Sequence, residues 1–294
     1  MSSALWMFHR VLPDAPQAFG LPSCYRLRGT AITPAEWERF LDSIPAPGSL
    51  GDDEPGIVLT FDDGYREWVD FVAPSLRRRG FTATFFACRA FSAEADKAHP
   101  VDRLYWLLDH AVRPELRAVV QGDRITLRVD TLEGKRTAIS GPLKERIVVG
   151  PPEEIESVLA QVAASLACEL PNDLPVLLYP AEAELHGLAD EFDVGAHGLT
   201  HRRSTTLSDD ELRDELDGSL RWIRALGGIE WWCHPDGDND PRVRRLVRQA
   251  GFTDALGVES GGGRFDRPRR FATPAAISAH ATSAGIRRAH VAHG

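Results

Sequence analysis

Residues 57–65 read IVLTFDDGY. An apolar run of strand character, Ile57–Val58–Leu59, ends at two adjacent carboxylates, Asp62 and Asp63, and then Gly64. Like charges side by side repel, and neither is buried without a partner of opposite sign. Downstream, residues 66–79 carry Trp68, Val72 and Leu76 at helical spacing, with Pro74 expected to bend or break the helix and Gly80 to end it. TATFFA (82–87) reads as the next strand. Strand, helical crossover and strand make a βαβ unit, and repeated parallel units of this kind build an α/β sheet or barrel.

The pattern extends in both directions. ALWMF (4–8) is a short strand ending at His9. A polar, Pro/Gly-rich stretch follows to about residue 55, interrupted by a helix near 34–43 with Thr33 or Thr30 as its cap. From residue 176, VLLYPAEAELHGLAD ends in a helical Leu-rich face, and FDVGAH (192–197) is a strand running into a histidine. Residues 208–226 form a helix whose Ser208 and Glu211 make a capping box. IEWWCHP (229–235) is a strand, Asp240 caps a helix with Pro241 at its first position, and FTDALGV is a further strand. The segment between, about 97–175, differs in character. VDRLYWLLDHAV and PPEEIESVLAQVAASLACEL read as helices, and DRITLRVD with GKRTAIS reads as a hairpin joined near Glu133–Gly134. This predicts an inserted subdomain or lid. The Gly-, Arg- and Ala-rich tail, 260–294, is expected to be loose.

Composition excludes several classes. The chain has 294 residues and a formal charge of −9. No Lys/Arg cluster forms a surface that would track phosphates, so nucleic acid is not an expected partner. Arg77–Arg78–Arg79 ends a predicted helix, where it suits the negative terminus. No stretch is long and apolar enough to span a membrane. The opening MSSALWMFHRVLPD lacks a basic n-region and a long apolar h-region, so a cytoplasmic protein is expected. Cys24, Cys88, Cys168 and Cys233 are far apart without CxxC spacing, which predicts reduced, buried thiols rather than a zinc ribbon.

Three strand ends carry polar residues: Asp62–Asp63, His197 with His201, and His234 with Asp236. In parallel α/β sheets and barrels, reactive groups collect at the C-terminal ends of strands. HGLTH spaces two imidazoles four apart, so one helical turn would aim both at one point. Two imidazoles and one carboxylate, either Asp62 or Asp63, suit a borderline divalent ion. The other carboxylate is then free to take a proton from water. Trp231–Trp232 reads as strand core, and Cys233 has no context that would make it a nucleophile.

TFDDGY with GAHGLTH resembles the first two motifs of the NodB-homology polysaccharide deacetylases, carbohydrate esterase family four. The resemblance covers roughly 55–90 and 176–275, plus the MFHRVLPD opening. It implies a distorted (β/α)7 barrel made of 1–96 and 176–294, with 97–175 inserted. It also implies one divalent metal ion (zinc first, with iron, cobalt or nickel as alternatives) and removal of an acetyl or other short acyl group from an amino sugar. By position, Asp62 would be the general base, and Asp63, His197 and His201 the metal ligands. CHPDGDND (233–240) stands at the third motif, written RxPY or YPYG in the family. Pro235 and Gly237 match, Asp236 stands at the aromatic position and its backbone N–H would be the oxyanion donor, Cys233 stands at the arginine and His234 at the tyrosine. The C-terminal Leu-x-His motif that supplies the acid is not evident, although RRFATPA (269–275) looks like the barrel-closing strand. MFHRV resembles the YHxV strand of one branch, which makes His9 the expected general acid, with His234 and His280 as alternatives. An insertion of this size points to an acylated amino sugar or other small-molecule amide rather than a polymer. The rival readings are hydrolysis of a cyclic imide, ureide or acylated peptide, and a non-catalytic sugar-binding barrel. Phosphoryl transfer with magnesium fits poorly, because magnesium prefers oxygen ligands.

Overall fold

The computed structural model describes residues 4–14, 23–45, 57–258 and 264–281. Its strands in chain order are β1 (Ala4–Phe8), β2 (Arg10–Val11), β3 (Ala31–Ile32), β4 (Ile57–Asp63), β5 (Thr84–Ala87), β6 (Glu115–Val120), β7 (Asp123–Arg128), β8 (Asp193–Ala196), β9 (Trp231–Cys233), β10 (Asp254–Leu256) and β11 (Arg270–Phe271). Seven form one sheet in the order β10-β9-β8-β5-β4-β1-β11. Every pair in it is parallel. Residues 264–271 link its two edges. Ala255 N–H donates to Arg264 O (3.1 Å) and Gly257 N–H to Arg267 O (2.9 Å), after which β11 pairs with β1. The result is a half-barrel with helical crossovers, the distorted (β/α)7 arrangement.

Register sets up the site. Phe8 of β1 lies opposite Phe61 of β4, so His9 comes level with Asp62. Asp63 lies opposite Ala87 of β5, and Ala87 opposite Ala196 of β8, so His197 follows directly. On the helix side, Phe8, Phe61 and Phe85 stack in sequence with centroids 5.1 Å apart at both contacts, within a core that includes Trp37, Trp68 and Leu76. Offset aromatic pairs at this spacing favour one strand register over its neighbours. The helix Pro34–Ser43 starts with Thr33 in a full capping box: its hydroxyl accepts from Glu36 N–H (3.0 Å), and Glu36 accepts from Thr33 N–H (2.7 Å).

Two local expectations are corrected. The 66–79 helix begins as a π turn, Trp68–Val72, and becomes α-helical only over Ala73–Arg79. Pro74 has no N–H for the i−4 carbonyl, and widening the preceding turn relieves the clash. The hairpin is β6 with β7, turning at Gln121 (φ 53°) and Gly122 (φ 88°), while GKRTAIS lies in the helix Leu132–Ser140. Two left-handed residues are what a tight hairpin turn requires. Thr131 starts the following helix by accepting from Gly134 N–H (3.1 Å).

Residues 97–175 pack helices Pro100–Asp109, Pro142–Val149 and Pro152–Leu166 and the β6–β7 hairpin around a second apolar cluster, which also takes in Leu12, Cys24 and Tyr25. Leu104, Leu107, Leu116, Val158 and Val162 are fully buried there, joined by Tyr65, Phe91 and Tyr179 from loops at the sheet's C-terminal edge. The four cysteines are free and buried. Among the described residues no helix is long and apolar enough to cross a membrane. Of the tail, residues 274–281 are helical, and the remainder beyond 281 lies outside the described residues.

Candidate active site and metal centre

Strand alternation puts Thr60 and Asp62 on the barrel-interior face of β4, and Leu59 and Phe61 on the helix side. Asp63 would follow Phe61 outward. Its φ of +87° reverses that, and both carboxylates reach one cleft. His201 (φ +60°) and Asp236 (φ +54°) are left-handed as well. Such conformations cost roughly 1–3 kcal/mol each and collect at functional sites.

Asp63, His197 and His201 meet. Asp63 Oδ1 lies 3.4 Å from His197 Nε2 and 3.1 Å from His201 Nε2. His197 Nδ1 is 2.9 Å from Cys233 O. A carbonyl only accepts, so Nδ1 carries a proton and a neutral His197 turns its Nε2 lone pair toward the Asp63 carboxylate. Two acceptors facing each other are satisfied by a cation between them or by a second proton on the ring. Burial opposes ionisation of Asp63, and the two imidazoles overcome it, holding its pKa well below the usual carboxylate range. His201 is likewise opposed by burial, but Asp63 outweighs this and raises its pKa. A carboxylate and two imidazole nitrogens, with one histidine oriented by a backbone carbonyl, fit a borderline divalent ion. A second grouping, Asp62, His197 and Cys233, also brings its ligand atoms within 4.8 Å of one another. It fits a cation badly, because Arg269 already occupies both Asp62 oxygens and lies 2.9 Å from Cys233 Sγ.

The convergence of the histidines has a different cause from the expected helical turn. Residues 197–201 are not helical. Gly198 (φ +99°) and left-handed His201 fold the turn back. Glu215, from the helix Asp209–Ala225, holds it by accepting from Leu199 N–H (2.9 Å), Thr200 N–H (3.2 Å) and the Thr200 hydroxyl (2.5 Å). Glu215→Ala is expected to lower metal affinity roughly 10- to 100-fold, the usual cost of losing a group that orients a ligand. Chelator competition measures it, and an unchanged affinity would contradict this role.

Asp62 has a separate partner. Arg269 Nη1 and Nη2 each lie 2.6 Å from one of its oxygens, and the pair is almost fully enclosed. Burial alone would raise the Asp62 pKa, and the guanidinium holds it below the usual carboxylate range. Arg269 arrives from 207 positions away, just before β11, and touches Thr60 Oγ1 (3.1 Å) as well. Sequence reading did not single it out. The available signal was Cys233 standing where an arginine was expected, which left the buried carboxylate needing a cation from elsewhere.

His9 lines the same cleft, its ring stacked 5.1 Å from Phe271, and its Nδ1 is buried without a hydrogen-bond partner among the described residues. Burial lowers its pKa, with Asp63 and Asp62 pulling the other way. Asp236 also lines the cleft, its carboxylate 2.9 Å from Arg203 Nε. The two alternative acids lie elsewhere. His234 is fully buried, accepts from Trp232 Nε1 (3.1 Å) and faces Phe265 O (3.2 Å), and burial lowers its pKa to about 4. His280 packs against Trp6 and Phe40 on the helix side.

The cleft measures about 180 Å³. One wall comes from the 97–175 segment through His99, Val101, Tyr105, Lys144 and Val148. That wall is bonded into the site. Tyr65, two residues after Asp63, donates to the buried Asp102 (3.2 Å), Tyr179 bonds the same carboxyl, and Arg10 lies over the Tyr65 ring (4.1 Å). Burial raises the Asp102 pKa to about 6.

The polysaccharide deacetylase family model matches residues 50–121 and 178–255, just over half of the chain. No curated protein matches the sequence. The fold resembles that of IcaB from Ammonifex degensii at 13% identity, covering 96% of this chain and 97% of that one with a TM-score of 0.55. It also resembles BC0361, a polysaccharide deacetylase from Bacillus cereus, at 12% identity, covering 96% and 69% with a TM-score of 0.51. At these identities the likeness is one of fold.

Proposed function

We propose that this chain, which belongs to the polysaccharide deacetylase family, is a metal-dependent amide hydrolase that removes an acetyl or other short acyl group from a small amino sugar or glycosylated molecule. The observation that carries the reading is that His9, Asp62, Asp63, His197, His201 and Asp236, from separate strand ends, line one cleft. Asp63, His197 and His201 would hold the ion, and zinc is the first assignment for two nitrogens and an oxygen. When bound, it supplies Lewis acidity toward the acyl carbonyl. Asp62, kept ionised by Arg269, takes a proton from the attacking water as the new C–O bond forms. The Asp236 N–H faces the developing oxyanion. His9 gives a proton to the amine nitrogen as the C–N bond breaks. Because burial lowers the His9 pKa, this role needs the ring charged in the substrate complex, and the Asp62 and Asp63 carboxylates favour that.

Size supports a small substrate. Sites for drug-sized ligands usually enclose roughly 300–1,000 Å³, whereas this cleft measures about 180 Å³ and is walled by the 97–175 segment. We read that segment as a lid that admits one acylated sugar residue. The test is acetate release from N-acetylglucosamine and its disaccharide, before and after chelation and zinc readdition. Release only from non-sugar amides would overturn the sugar assignment. His9→Gln should cut amide turnover by on the order of 10²–10⁴. It should spare 4-nitrophenyl acetate, whose leaving group departs without a proton. Equal losses on both substrates would refute His9 as the acid.

A further inference from the structure

Lys144 stands in the cleft wall without an ion-pair partner of its own among the described residues. Its side chain, from the helix Pro142–Val149, is buried (5% exposed) and lines the cleft. The two carboxylates whose charge reaches it are both engaged elsewhere: Arg203 bonds Glu145 (2.5 Å) and Asp236 (2.9 Å). Among the described residues no ion pair or hydrogen bond holds the Lys144 ammonium. An unpaired ammonium on a largely buried side chain is costly, and an anion placed in the cleft before it would offset that cost.

Two further groups in the wall can donate to an anion. Arg28 lines the same cleft and is close enough to depress Lys144 further. Tyr105 lines it too, and its buried hydroxyl lies beside the Arg28 guanidinium, which opposes the upward push of burial on its pKa. Burial, with Arg28 second, lowers the Lys144 pKa to about 8, so the group is desolvated and still mostly charged at neutral pH. The chain as a whole carries −9, and against that background two cations line one wall of the cleft. The patch lies within electrostatic reach of the reacting centre, because the charge of Lys144 is felt at His201 and His99.

We propose that Lys144, Arg28 and the Tyr105 hydroxyl form an oxyanion subsite, and that the acylated sugar carries a phosphate group seated there while its acylamino group faces Asp62 and Asp63. Two cations match a phosphate dianion better than a single carboxylate. The inference rests on the deacetylase reading for its acyl chemistry, but not for the anion site itself.

Two measurements separate them. The first is kcat/KM for acetate release from N-acetylglucosamine, its 6-phosphate, its 1-phosphate, and N-acetylmuramic acid as the carboxylate arm. The second is calorimetric binding of glucosamine 6-phosphate against glucosamine, which needs no turnover. Wild-type protein should favour a phosphorylated sugar in both. Lys144→Met should lower that preference on the order of 10- to 100-fold, and Lys144→Arg should restore most of it. Equal treatment of charged and neutral sugars, or a Lys144→Met loss that falls on both alike, would overturn the subsite. A preference for N-acetylmuramic acid would keep the oxyanion site and refute phosphate. If no sugar releases acetate while glucosamine 6-phosphate binding still depends on Lys144, the subsite stands and the deacetylase reading falls.

Discussion

Asp63→Ala protein should contain almost no tightly held metal and should release acetate at the background rate, a loss on the order of 10³ or more. The reason is charge. Asp63 is the one anionic member of its cluster, and its Oδ1 lies within 3.4 Å of both histidine nitrogens. Two neutral imidazoles alone leave a dication without compensation in a buried site. Alanine at φ +87° also carries backbone strain of about 1–2 kcal/mol, so a folding defect has to be separated from a binding defect. Asp63→Asn does this, since asparagine tolerates the left-handed conformation and keeps the shape while removing the charge. Elemental analysis of both variants, with thermal unfolding beside it, reads the two effects apart. Asparagine protein that folds normally and keeps one equivalent of metal with full activity would refute the cluster as the metal centre.

The strand ends were legible because the sequence marks them twice, by an apolar run and by its abrupt polar stop. That is why the sequence places Asp62, His197 and Asp236 at one edge of a parallel sheet. How HGLTH converges was not legible. Its spacing suits a helix, but Gly198 and a left-handed His201 do the work, and Glu215 fixes them from a separate helix. The hairpin was misplaced because Gln121–Gly122 is a less familiar turn pair than Asn–Gly, and because GKRTAIS lacks a clear period. Lys144 sits in a helix whose burial comes from tertiary packing within the 97–175 segment, which no local pattern reports. Arg269 is the site residue least visible in the sequence. It neutralises Asp62 across the whole barrel, and only the closing of the sheet by β11 brings the two together.

That pair gives the second large effect. Arg269→Met leaves the Asp62 carboxylate enclosed without a cation, and breaking a buried pair from one side costs about 3–5 kcal/mol. The sign with pH follows from the shift. In wild type the Asp62 pKa is depressed, so the pair contributes stability that is present above the unfolded value near 3.8 and lost as pH falls below it through the folded value. Without Arg269, burial is left dominant and raises the pKa, so the folded variant loses stability as pH rises above about 4. The stability difference between variant and wild type is therefore larger at pH 7 than at pH 4. Urea unfolding at the two values measures it. Activity should fall too, with the acid limb of the rate profile moved to higher pH, because Asp62 must lose its proton before it can act as a base. If Asp62 is the base proposed above, Asp62→Asn should cost on the order of 10²–10⁴ in kcat while metal content stays normal. It also strands Arg269 as an unpaired buried cation. The Asp62→Asn/Arg269→Met double variant removes both charges and should be more stable than either single variant, yet no more active than Asp62→Asn. An Arg269→Met protein with wild-type stability at pH 7 and an unmoved acid limb would show that the guanidinium neither supports nor tunes the carboxylate it grips.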